Sequence, residues 1–292
     1  MLRALLLGLG WINLQLDEFR IGQINPKDFS KDSVARIKPL SELALSVNVL
    51  MRCGVTLPFL PLAADWIWNE CEEGHGLLRL LLARNDFLPA CSLYASLFEL
   101  GYRSAPLDAA LRMLAKSKMA RRLPLQPWAR LALDYNLFKL GIIPWSRIRR
   151  SGLYVVSRPE PWVISGEIGY AITHEIMYLT DFGFEPLRDA ELDGYLRTWI
   201  PYWAQAFTRE RDWDVLGELA MISSCLGTES PMSELAIVLA QQAADGSIAG
   251  PDGAGSFLYA EGDTKSRRAF LASYHTTLVG TMAAAMALRR SH

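Results

Sequence analysis

Apolar positions recur at three- and four-residue intervals along the whole chain, and strand-like alternation is nearly absent. The pattern predicts an apolar helix over about 2–19 and a polar loop at Asn25, Pro26, Lys27 and Asp28. A second helix is expected to open at Pro39, carry Leu43, Leu45, Val47 and Leu50, and stop at Gly54. Further helices are expected at about 61–73, 76–84, 89–100, 106–119, 127–140, 166–181, 188–209, 212–226, 231–243 and 265–290. Pro127 with Gly141, and Asp212 with Gly227, mark starts and stops; Pro201 predicts a break inside 188–209.

The longest irregular stretch is 142–164. Its strand-like run, Leu153-Tyr154-Val155-Val156, is short and isolated, and Pro159 and Pro161 keep the following segment out of a helix. The stretch reads either as a joint between two halves or as a lid over a cavity. The expected class is therefore all-α: one domain with halves at about 1–141 and 165–292, built as an antiparallel helix-hairpin array, closed or partly closed as a toroid.

Composition narrows the function classes. Apolar residues make up 51% of the 292 and charged residues 21%, so a large core can form. With 30 basic against 31 acidic residues and no charged tail, nucleic acid is not an expected partner. No apolar run approaches the ~20 residues of a membrane span. The Met1–Leu7 run imitates a signal peptide but breaks at Gly8 and Gly10, and Cys53, Cys71, Cys91 and Cys225 show no paired spacing, so a reducing cytoplasm is expected.

Two helices carry the candidate chemistry. His174 lies mid-helix in Gly166–Asp181, and His275 lies in Phe270–Leu278, each beside threonine on an apolar background and 101 residues apart (275 − 174). Glu167, His174 and Asp181 fall seven apart on one helical face, with Tyr170 and Tyr178 on the same stripe. A carboxylate beside an imidazole favours its charged form and fixes which nitrogen holds the proton; a tyrosine one turn away can donate to a leaving group. The bland account is that Glu167 and Asp181 merely end the helix and that His275 is a satisfied core residue. Tyr274, Thr277 and Trp162 complete the candidate binding residues. The glycine-rich Gly246–Gly255 lacks the Lys-Ser/Thr of a phosphate loop, and His75, between Gly74 and Gly76, reads as a turn residue.

Residues 233–248, Ser-Glu-Leu-Ala-Ile-Val-Leu-Ala-Gln-Gln-Ala-Ala-Asp-Gly-Ser-Ile, resemble the repeat that closes each hairpin in the (α/α)-toroid superfamily of triterpene cyclases and protein prenyltransferases. There, a glutamine after an apolar helix is followed by Asp-Gly-Ser and an aromatic; here Ile248 replaces the tryptophan. The resemblance implies the architecture and not the activity, because Asp-x-Asp-Asp, Asp-Asp-x-x-Asp and the Cys-His pair of lanthionine cyclases are missing. The whole-chain pattern, Thr-His and Leu-Thr-Asp-Phe-Gly followed by Tyr-His-Thr, is similar to helical proteins of actinobacterial natural-product clusters, near the aziridine-forming proteins of azinomycin-type pathways.

The expected function is a secondary-metabolite tailoring enzyme without cofactor, using His174 for cyclisation or elimination of a small molecule, free or carrier-bound. Ring closure by intramolecular displacement fits, since a rigid cavity chiefly supplies orientation. The alternative is a non-catalytic scaffold binding a protein partner or a second copy. A weaker alternative is a metal-dependent hydrolase or lyase using both histidines and Asp181.

Overall fold

Proline at helix starts and glycine just past helix ends place many of the element boundaries. The structure, a computed structural model, describes residues 1–21, 31–83, 87–118, 122–227 and 231–290, and among them no strand occurs. The helices are α1 (Leu2–Leu14), α2 (Lys31–Arg52), α3 (Phe59–Glu70), α4 (His75–Ala83), α5 (Phe87–Glu99), α6 (Ala105–Lys116), α7 (Pro127–Lys139), α8 (Tyr154–Ser157), α9 (Gly166–Leu179), α10 (Ala190–Glu210), α11 (Trp213–Leu226), α12 (Pro231–Leu239) and α13 (Lys265–Arg290). Short 3-10 turns link several of them. The all-α class is thus what the periodicity predicts. The polar loop at Asn25–Asp28 lies outside the described residues.

Three local expectations are corrected. Pro39 lies inside α2 and does not open it. Pro201 does not break α10; it sits on the exposed face, where solvent can satisfy the carbonyl that its missing N–H leaves. The run at 153–156 is not a strand: Tyr154–Ser157 form one helical turn, because the buried Glu175 carboxylate accepts the N–H groups of Tyr154 (3.1 Å) and Val155 (2.9 Å).

The chain packs as two units, whose boundary at 149/150 falls within the irregular stretch. The inner unit comprises Leu16–Met51 and Thr56–Arg149. Its centre holds the fully buried Tyr94, which stacks on Trp68 and ties α5 to the start of α6: its hydroxyl donates to Asp108 at 2.8 Å and accepts the Ser104 N–H at 3.0 Å.

The terminal unit comprises Met1–Gln15, Arg52–Val55 and Arg150–His292, so α1 packs with the C-terminal helices. Trp11 stacks on Phe270 at 5.9 Å. At the centre of this unit is α11, buried from Val215 to Leu226 without interruption and packed against α9, α10, α12 and α13. Asp212 caps it through the Val215 N–H at 3.2 Å, and Gly227 ends it with φ +66.

Residues 242–248 work as a lock between α1 and α13. Gln242 Nε2 donates to the carbonyls of Ala4 in α1 and of Gly246, both at 3.0 Å. Asp245 accepts from the Ser247 N–H and hydroxyl, and the buried Ile248 donates its N–H to Thr277 on α13 at 2.9 Å.

Candidate functional site

A carboxylate inside an otherwise apolar helix is costly to bury unless charge partners surround it. Glu218, near the middle of α11, is such a residue, with a side chain only 2% exposed. Its partners come from two of the helices packed against α11. From α9, His174 Nδ1 lies 3.5 Å from Glu218 Oε2; from α13, His275 Nε2 lies 3.6 Å from Oε1. These are ion-pair separations.

Thr173, adjacent to His174, donates its hydroxyl to Glu218 Oε2 and also lies 2.9 Å from the Tyr170 carbonyl. One proton serves one acceptor, and the charged carboxylate is the stronger one. The Tyr170 carbonyl then accepts from His174 Nδ1 at 2.9 Å. A carbonyl can only accept, so that contact assigns a proton to Nδ1 of His174. From α13 the other ring nitrogen makes the contact: Nε2 of His275 faces Glu218.

Ring contacts hold the His174 imidazole in place. Tyr170 stacks on it with centroids 3.8 Å apart and a 32° tilt, and Tyr178 meets it edge-on at 6.2 Å. One turn earlier on α11, Asp214 accepts the hydroxyl of Thr276, the residue after His275. The α11–α13 seam therefore carries Asp214–Thr276 beside Glu218–His275, one turn apart.

Electrostatics follow from this packing. Burial alone raises the Glu218 carboxyl, but the His174 and His275 imidazoles outweigh it and lower it to about 2. Burial also raises Asp212, opposed by the Val215 N–H and reinforced by Asp214 and Glu218. Glu175 is pushed up to about 7 by burial, against the pull of the Val155 and Tyr154 N–H groups and of His174.

The structure brings His174 and His275 to one carboxylate, with side chains 14% and 21% exposed, and keeps Tyr170 and Tyr178 beside His174. The orienting carboxylate is not one of the two expected from the stripe on α9. Glu167 is exposed in the first turn of α9, where the helix dipole favours it. Asp181 lies past the end of α9 with φ +48 and is gripped by Arg52 at 3.1 and 2.5 Å. Tyr274 is buried in the stack with Phe270 (5.3 Å). Thr277 is buried too, donating to the Ser273 carbonyl and accepting from Ile248. Trp162 is 81% exposed in the turn Pro161–Val163.

Glu218, Thr173, Asp214 and Thr276 are the members that sequence reasoning missed. The available signal was Glu218 itself, flanked by Val215, Leu216, Leu219, Ala220 and Ile222 on a helix with no polar face to receive it. Among the described residues, no set of three His, Cys, Asp or Glu side chains is arranged to hold a metal ion. No helix among them is long and apolar enough to cross a membrane.

Neither a curated protein nor a solved structure matches the chain. Residues 5–285 match the model of a family described as a domain of unknown function (DUF6895), and the chain belongs to that family.

Proposed function

We propose that this protein is an acid/base enzyme that acts on a small molecule without an organic cofactor, with His174 and His275 as its proton-transfer groups. The observation that carries this reading is the shared anchor: one buried carboxylate holds two imidazoles from two different helices, each still partly exposed. A base and an acid are both needed when a ring closes or an elimination occurs. One imidazole removes the proton from the nucleophile as its bond to carbon forms. The leaving group departs with its electron pair and takes a proton from the other imidazolium. Glu218 stays ionised throughout and stabilises whichever imidazole is charged.

Natural-product tailoring, in the manner of the aziridine-forming proteins, is the setting this reading fits, and the free cysteines suit a reducing cytoplasm. The lock at Gln242–Ile248 supports kinship with toroid-type hairpins.

A second reading, a scaffold for a protein or carrier partner, is favoured by the exposed apolar side chains Trp162 (81%), Val156 (51%) and Val163 (47%). Metabolite profiling of cells expressing the wild type, His174→Asn, His275→Asn, Glu218→Gln and Trp162→Ser separates the two. The enzyme reading expects the three site variants to fold yet lose the product by about a hundredfold or more, with Trp162→Ser active. Full product from both histidine variants would overturn it.

A further inference from the structure

Four arginines, Arg188, Arg197, Arg289 and Arg290, line a groove of about 980 Å³ bounded by the turn after α9, the start of α10 and the ends of α11 and α13. It shares no residue with the Glu218 site. Three acidic side chains also line it, and each is engaged. Asp193 pairs with Arg197 at 2.6 Å, Glu185 with Arg188 at 3.6 Å, and Asp189 accepts the Leu192 N–H at 3.0 Å as the cap of α10.

Arg289 and Arg290 stand differently. The Arg289 guanidinium covers the Phe184 ring at 3.9 Å, and Arg52 covers the same ring at 3.8 Å. Arg290 Nη2 donates to the Cys225 carbonyl at 3.0 Å. Arg52 has Asp181 as counter-charge, whereas among the described residues no carboxylate is paired with Arg289 or Arg290. Four guanidinium groups against three carboxylates leave the groove with net positive charge, which a bound anion would offset. The contacts with Phe184 and Cys225 hold one side of each guanidinium and leave it pre-oriented, with further N–H donors. The backbone leading in is also constrained: Asp181 and Phe182 hold φ of +48 and +56 without being glycine, followed by Gly183 at +77.

We propose that this groove binds a phosphate monoester, with Arg289 and Arg290 as the groups that meet the dianion. A planar guanidinium matches phosphate oxygens two at a time, and the groove has room for an organic body behind the phosphate.

Calorimetric titration of the full chain at low ionic strength, with inorganic phosphate, glycerol phosphate and acetate, tests this. Phosphate and glycerol phosphate should each bind at least tenfold more tightly than acetate and weaken as salt rises. Arg289→Met keeps an apolar stem against Phe184, so it should fold normally and lose at least tenfold in phosphate affinity. Should that variant unfold, phenylglyoxal labelling of the wild type decides the matter, with phosphate expected to protect Arg289 and Arg290. Phosphate binding no tighter than acetate, unchanged affinity in folded Arg289→Met, or no protection would overturn the proposal.

Discussion

His174 Nδ1 lies 3.5 Å from Glu218 Oε2, in a contact where the carboxylate is 2% exposed and the imidazole 14%. Removing the charge without changing the shape isolates what this contact contributes. Glu218→Gln retains an acceptor for Thr173 but leaves both imidazoles without their anion, and about 2–3 kcal/mol of stability at pH 7 should be lost. The acid limb of the stability curve should change as well. The folded carboxyl titrates at about 2 against an ordinary 4.5, so its contribution is fully present above pH 4.5 and disappears as pH falls through about 2. Urea unfolding at pH values from 7 to 3 should give a variant curve flatter than wild type below pH 4.5. Parallel curves would contradict the charge-pair account.

Glu175 behaves in the opposite sense. Burial raises it to about 7, with the Val155 and Tyr154 N–H groups and His174 pulling the other way. A carboxyl raised on folding contributes stability that is present below 4.5 and lost as pH climbs through about 7. Glu175→Gln should therefore flatten the stability profile between pH 4.5 and 7 while leaving the limb below 4.5 intact. The amide oxygen replaces one of two carboxylate acceptors, so hydrogen exchange at Tyr154 and Val155 should quicken together with fraying of α8.

The fold was readable because its signals are local. Asp212 and Gly227 bracket α11, and Pro127 and Gly141 bracket α7, through backbone requirements that residue type alone conveys. The turn at Tyr154–Ser157 was not readable, because its capping carboxylate lies about twenty residues away, in the core. The same distinction divides the candidate site. His174 and His275 stand out as lone polar groups on apolar helical faces, and inward placement follows from periodicity. Which carboxylate they meet depends on which helix lies between them, and that is a tertiary fact. Asp181 looked suitable on a helical wheel, but the chain leaves the helix before reaching it; φ turns positive there and Arg52 takes the carboxylate.

The lock between α1 and the α12–α13 connection can be tested by one methyl group. Gly246 sits at φ +95, and a Cβ built there would lie 2.1 Å from the Leu7 carbonyl oxygen. Two penalties therefore combine in Gly246→Ala: left-handed backbone for a residue with a side chain, about 1–2 kcal/mol, and a backbone collision relieved only by moving α1 away, about 1–3 kcal/mol more. Gly253 supplies the control, since its φ is +82 but a Cβ there meets nothing within 4 Å. Gly253→Ala should show the conformational penalty alone. Differential scanning calorimetry of the two variants should find Gly246→Ala lower in Tm than Gly253→Ala by several degrees. Gln242→Ala, which removes the 3.0 Å hydrogen bond to the Ala4 carbonyl, should weaken the attachment of α1 by about 1 kcal/mol. Equal melting of the two glycine variants would show that α1 is not held at this position.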